Sequence, residues 1–279
     1  MAVAHATLTR RARKPRLLAA PASTPAQTLT EDCPAPSLGG TLPALVYVPA
    51  DYGTSAKRYP VVYVLHGLPA GPQTYTSSGF VATAVAHEPR PAIVVSPQGA
   101  RSENSDPEYL DSGPTEDWPR AIAHDLTRCI DARFQTIAGR AGRALVGFSA
   151  GGFGAMNIGL RNLATYGAVE SWSGYFAATD PSGLHLLNLG SPAANAAARV
   201  PAAAALAGAL RRHPTFIGFY VGNRDSLFVA DNRAFDAELR AHHIRHSFAI
   251  YPAGHTVSLW VGEAPQWLWL ALAALAKGR

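Results

Sequence analysis

The stretch Arg143-Ala-Leu-Val-Gly-Phe-Ser-Ala-Gly-Gly-Phe-Gly-Ala155 runs from a strand pattern into a helix pattern through a tight turn centred on Ser149. Residues 143–148 read as a buried strand and residues 152–162 as a helix. Between them, Gly147-Phe148-Ser149-Ala150-Gly151 fits G-x-S-x-G in the strand-turn-helix setting that this motif requires. Its glycines have a physical reason: the sharp turn forces the serine into a strained backbone conformation, and small neighbours avoid clashes as the hydroxyl is exposed. A phosphate-binding loop is the competing reading, but it needs G-x-G-x-x-G or a G-K-[ST] ending. Residues 147–154 supply neither spacing.

Outward from this turn, short β-branched or aromatic runs alternate with longer segments of helical period from residue 41 onward. The expected strands are 41–48, 61–65, 92–96, 143–148, 166–172, 216–221 and 247–251, several of them apolar on both faces. That alternation predicts an α/β domain with a mostly parallel central sheet flanked by helices on both faces. Trp118, Ile122, Leu126, Ile130 and Phe134 recur every four residues and predict a core-facing stripe on one helix. Residues 191–210, mostly alanine with Pro192 and Pro201, predict short, weakly anchored helices suited to a mobile cap. Trp267, Trp269, Leu270, Leu272 and Leu275 predict a terminal helix packed on the sheet.

A serine hydroxyl is a poor nucleophile near neutral pH, so the motif calls for a later acid and then a histidine base. Asp225 lies in Gly222-Asn223-Arg224-Asp225, just beyond a predicted strand, and His255 lies in Pro252-Ala253-Gly254-His255, just beyond the next. Loops at that edge of an α/β sheet are where ligands bind. Asp231 is the other carboxylate nearby, but it stands at the start of a predicted helix, where it favours the helix dipole. Two backbone amides, those of Leu68 and Ala150, are the candidate oxyanion donors. His66 precedes the serine and reads as the residue that holds the oxyanion loop by hydrogen bonds. His242, His243 and His246 lack metal-ligand spacing and read as surface residues, and neither a metal nor a cofactor is expected.

The 279 residues fit one large domain, and no apolar run approaches the roughly 20 residues that span a bilayer. The formal net charge of +5 is concentrated in Arg10, Arg11, Arg13, Lys14 and Arg16. Without those five cations the chain carries 19 basic and 19 acidic residues. A neutral body lacks the electrostatic footprint of a nucleic-acid partner. Residues 1–38 are expected to be a disordered or processed basic segment, and 39–279 the folded domain. Arg10-Arg11 followed by Leu17, Leu18, Ala19 and Ala20 tilts the expectation toward export. Cys33 and Cys129 fit either one disulfide or two free thiols, and the sequence does not choose.

With these residues placed, the chain resembles the esterase family that includes esterase D, S-formylglutathione hydrolase, bacterial feruloyl esterases and mycolyltransferases. The resemblance covers roughly residues 40–275. It rests on Tyr59-Pro-Val-Val-Tyr-Val-Leu-His-Gly67, the 147–155 motif, Ser171-Trp-Ser-Gly-Tyr175, Gly222 to Asp225, and Gly254-His255 with Trp260 five residues after the histidine. It implies an α/β-hydrolase fold, a metal-independent triad at Ser149, Asp225 and His255, and an oxyanion hole at Leu68 and Ala150. Family members often carry a tryptophan two positions after the histidine, whereas this chain has Val257. Three functions are in view: hydrolysis of a small-molecule carboxylic ester through an acyl-enzyme on Ser149, acyl transfer by the same residues, and non-catalytic binding. Neither the substrate's two halves nor the oligomeric state is fixed by the sequence.

Overall fold

The computed structural model describes residues 27–102, 109–180 and 184–277. Eight strands form one sheet in the order β1-β2-β4-β3-β5-β6-β7-β8. Strands β3 (Val61–Leu65), β4 (Ile93–Pro97), β5 (Arg143–Phe148), β6 (Ala168–Trp172), β7 (Phe216–Gly222) and β8 (Ser247–Tyr251) are mutually parallel. Strand β2 (Gly40–Val48) joins β4 antiparallel, and β1 (Gln27–Ala35) pairs antiparallel with β2. The seven strands expected from sequence are all present, with ends within two residues of those expected.

Period-2 alternation divides the core between the two faces. On β3, Val61, Tyr63 and Leu65 point into one hydrophobic cluster and Val62 and Val64 into the other. The Val62 side packs against α1 (Gly79–Ala86) and α8 (Val257–Lys277), where Trp267, Leu268, Leu272 and Leu275 are buried. Trp269 differs from the sequence expectation: it is 53% exposed, because it lies about 200° around the helix from the buried Trp267 and Ala271. The Tyr63 side packs against the 118–133 helical stretch, α4 (Ala150–Arg161) and α7 (Val229–Ala241). All five members of the Trp118-to-Phe134 stripe are buried. A four-residue spacing drifts roughly 40° per step around an ideal α-helix. Here the π-helical turn Ala121–Leu126, between α2 (Trp118–Arg120) and α3 (Thr127–Arg133), widens the helix and offsets that drift.

The domain boundary expected at residue 38 moves toward the N-terminus. Residues 27–38 belong to the sheet as β1 and the turn that follows it, with Cys33 opposite Leu42 and Ala35 opposite Gly40. Cys33 is joined to Cys129 of α3 by a disulfide with Cα atoms 5.7 Å apart, which settles the question left open by the sequence. The basic residues of the expected tail, including the Arg10-Arg11 pair, lie outside the described residues.

The alanine-rich segment forms α5 (Pro192–Ala197) and α6 (Ala203–Arg212), and it is anchored where a mobile cap was expected. Asn157 and Arg161 of α4 donate to the carbonyls of Ala197, Ala196 and Arg199, and Glu238 accepts from the Ala203 amide. Polar side chains of the body thus do the anchoring that alanine's small side chain cannot. No helix among the described residues is long and apolar enough to cross a membrane.

Candidate active site

Ser149 lies between β5 and α4 with φ 56° and ψ −126°, the strained conformation expected of the turn. Close approach explains its glycine neighbours. A Cβ on Gly147 would sit 2.0 Å from the Gly151 carbonyl oxygen, and one on Gly151 would sit 2.1 Å from that of Leu65. The turn is pinned sideways as well, since the Ser149 amide donates to the Trp172 carbonyl at 3.0 Å across to β6.

Asp225 and His255 follow β7 and β8 on loops at the same sheet edge. The two loops are zipped together: Asn223 N donates to Tyr251 O, Arg224 N to Ala253 O, and the Arg224 guanidinium to Pro252 O. Ser149 Oγ stands 2.9 Å from His255 Nε2, and His255 Nδ1 stands 2.7 Å from Asp225 Oδ2. The other carboxylate oxygen of Asp225 accepts from the Phe228 amide at 3.2 Å. Asp225 is 1% exposed and the His255 side chain 27%, so the acid is enclosed while the imidazole reaches the surface. A carboxylate on Nδ1 selects the tautomer that leaves Nε2 free to accept a proton from the serine hydroxyl.

The imidazole is also held by rings. Phe228 and Trp260 meet it edge-on at 5.3 and 5.2 Å. Val257, where family members often have tryptophan, is 61% exposed, so Trp260, one turn into α8, supplies the aromatic contact. Leu68 lies in the loop after β3, and Ala150 opens α4 immediately after Ser149. An apolar wall surrounds this edge, with Leu110, Phe153, Tyr175, Val221 and Phe228 buried and Leu68 and Leu187 packed against them.

His66 is enclosed beside the site. Its Nδ1 donates to the Gly67 carbonyl at 2.9 Å, and its own carbonyl accepts from the Tyr109 hydroxyl at 2.7 Å. Burial pushes the imidazole below its usual range, opposed by the bond to Gly67, and a neutral ring is the form that fits a brace for the 66–68 loop. Asp231 stands apart from His255. Its Oδ2 accepts from the Phe176 amide at 2.8 Å, and burial raises its carboxyl above the usual range against the opposing effects of that amide and Arg199. His242 and His243 are exposed as expected, but His246 is not. Its side chain is 6% exposed, bonded to Asp236 Oδ1 at 2.9 Å and stacked on Phe219. Sequence reasoning had no view of that contact, because the partners come from α7 and β7. Phe228 and Tyr109 were missed as well, because their partners His255 and His66 are distant in sequence.

An eight-stranded α/β sheet with a serine elbow after β5 and an acid and a histidine after β7 and β8 defines the α/β-hydrolase fold. The chain belongs to the Putative esterase family, whose pattern it matches over residues 35–267. It is 34% identical over 149 residues to Esterase Rv1288 of Mycobacterium tuberculosis (strain ATCC 25618 / H37Rv), a match covering 52% of this chain and 32% of that protein. The match thus spans about a third of the relative's length. Among solved structures, a ferulic acid esterase superposes with TM-score 0.74 at 20% identity, covering 89% of this chain and 99% of the other. An S-formylglutathione hydrolase from Agrobacterium tumefaciens gives 0.70 at 18% identity, covering 89% and 94%. Mycobacterium tuberculosis MPT51 gives 0.63 at 17% identity, covering 90% and 99%.

Proposed function

We propose that the protein is a serine esterase that cleaves a small-molecule carboxylic ester through an acyl-enzyme on Ser149. The observation that carries this reading is the unbroken chain of hydrogen bonds from Ser149 Oγ through His255 to Asp225 at the ligand-binding edge of the sheet. In the first half-reaction Ser149 Oγ attacks the ester carbonyl carbon as His255 Nε2 takes its proton. The carbonyl oxygen becomes an oxyanion and receives the Leu68 and Ala150 amides. Collapse breaks the carbon–oxygen bond to the alcohol, which leaves with the proton held by His255. In the second half-reaction His255 takes a proton from water, hydroxide adds to the acyl carbon, and the acid departs as Ser149 regains its proton. Asp225 holds the imidazole by its Nδ1 and stabilises the imidazolium that forms.

A fluorophosphonate should label Ser149 and no other serine, and an ester panel should yield free acid and alcohol. Absence of the adduct, or an adduct elsewhere, would remove the mechanism and leave a binding protein. Product analysis with a sugar acceptor present separates hydrolysis from acyl transfer, since a new ester forms only in the latter.

A further inference from the structure

Asn232 lies in the first turn of α7 and is completely buried. Its Nδ2 donates to two carbonyls, Gly174 O at 2.7 Å on a loop 58 residues earlier and Phe228 O at 2.9 Å in the loop that ends at the N-cap of its own helix, a carbonyl that also accepts from the Asn232 backbone amide at 3.0 Å. Both partners can only accept, so the amide orientation is fixed by its surroundings and both of its hydrogens are used. The two loops lead to different halves of the triad. Gly174 packs on the first turn of α4, directly behind Ser149: a Cβ there would lie 2.8 Å from the Gly152 carbonyl carbon and 2.9 Å from the Phe153 nitrogen. Phe228 belongs to the other half, its amide bonded to Asp225 Oδ1 and its ring against His255.

We propose that Asn232 is a positioning residue for the triad, its single amide bridging Gly174 O and Phe228 O to hold the nucleophile's shoulder and the acid–base arm at working distance. This rests on the reading of Ser149, Asp225 and His255 given above. The chemistry singles out asparagine. Aspartate of the same shape would turn acceptors toward two carbonyls, and leucine would fill the volume without a donor. Displacement of a catalytic group by about 1 Å costs on the order of 10²-fold in rate, and the loss should fall on kcat because Asn232 lies behind the triad, out of reach of substrate.

The test is a double-mutant cycle on the full chain, with a turned-over ester and thermal melts of every variant. Asn232→Leu should lower kcat by about 10²-fold with KM within about threefold of wild type. In an Asp225→Asn background, where the arm is already uncoupled, the same change should cost less than about threefold. Equal costs in the two backgrounds would mean general loosening of the fold and would overturn the proposal, as would an Asn232→Leu enzyme with unchanged kcat. If Asn232→Leu does not fold, Asn232→Ser, which keeps one donor, takes its place in the cycle under the same criteria. Failure of the esterase reading is distinct: it appears in the wild-type chain as no label and no turnover, and it removes both proposals together.

Discussion

At the β5–β8 end of the sheet, Ser149, Asp225 and His255 sit on separate loops joined by hydrogen bonds, with nothing covalent between them. At the β1–β2 end, the first strand is tied to α3 by the Cys33–Cys129 bond across 96 residues and by the Glu31–Arg133 ion pair, and the turn after it is tied to the π-helical turn before α3 by the Ser37 amide on Asp125 at 3.0 Å. On the function proposed above, one end holds side chains in register for chemistry, and the other closes the domain. The comparison teaches that the two tasks are separable: changes at the catalytic end should cost rate and little stability, and changes at the tethered end should do the reverse.

The largest expected effect is at the catalytic end. Asp225→Asn should lower kcat by about 10⁴-fold, the scale of the same change in a serine protease, because the amide favours the wrong histidine tautomer. Asp231→Asn should leave kcat within about threefold, since its oxygen serves the Phe176 amide and not His255. Steady-state kinetics on a short-chain ester, with circular dichroism on both proteins, decides between them. Should Asp231→Asn be the inactive variant, the acid has been assigned to the wrong loop.

Replacing Cys33 and Cys129 together by serine reverses the pattern. A loop of this length implies a loss of about 2–5 kcal/mol in unfolding free energy, with kcat of the folded enzyme unchanged. Urea unfolding with and without reductant measures the first, and kinetics well below the midpoint measures the second. A fall in kcat would show that the tether reaches the triad and would break the separation.

The same division explains what the sequence made legible. Buried parallel strands announce themselves by apolar residues on both faces, so β3 to β8 and the loops after them could be placed, and the order serine, acid, histidine then picked out three residues. Strand β1 could not be seen, because Gln27–Ala35 is largely polar and exposed and its place in the sheet comes from its pairing with β2. Asn232 was invisible for a related reason: an asparagine early in a helix reads as ordinary, and the role proposed for it depends on the Gly174 carbonyl, 58 residues earlier in the chain. His246 read as a surface residue because its distance from Asp236 is short only once α7 packs beside β7.

The last expected effect lies within the β5–β8 end itself, at Glu170 of β6, a fully buried carboxyl whose Oε2 accepts from the Trp172 indole at 3.0 Å. Burial pushes this carboxyl well above the usual range, and the indole bond opposes the shift only in part. The folded chain therefore keeps a proton that the unfolded chain releases near pH 4.3. With one more proton bound in the folded state, stability from this group is complete below that pH and declines as pH rises, by up to about 1.4 kcal/mol per pH unit until the folded group itself ionises. Glu170→Gln keeps the volume and an acceptor for Trp172 but cannot titrate. It should unfold at a higher urea concentration than wild type at pH 7.5, and the gap should narrow steadily toward pH 5. Because every other titrating group is shared, the difference between the two proteins isolates Glu170. Parallel stability curves across that range would mean that the carboxyl is ionised in the folded protein, and the buried proton would have to be abandoned. An accompanying change in kcat would tie this carboxyl to the nucleophile's turn, since Glu170 sits two residues before Trp172, whose carbonyl receives the Ser149 amide.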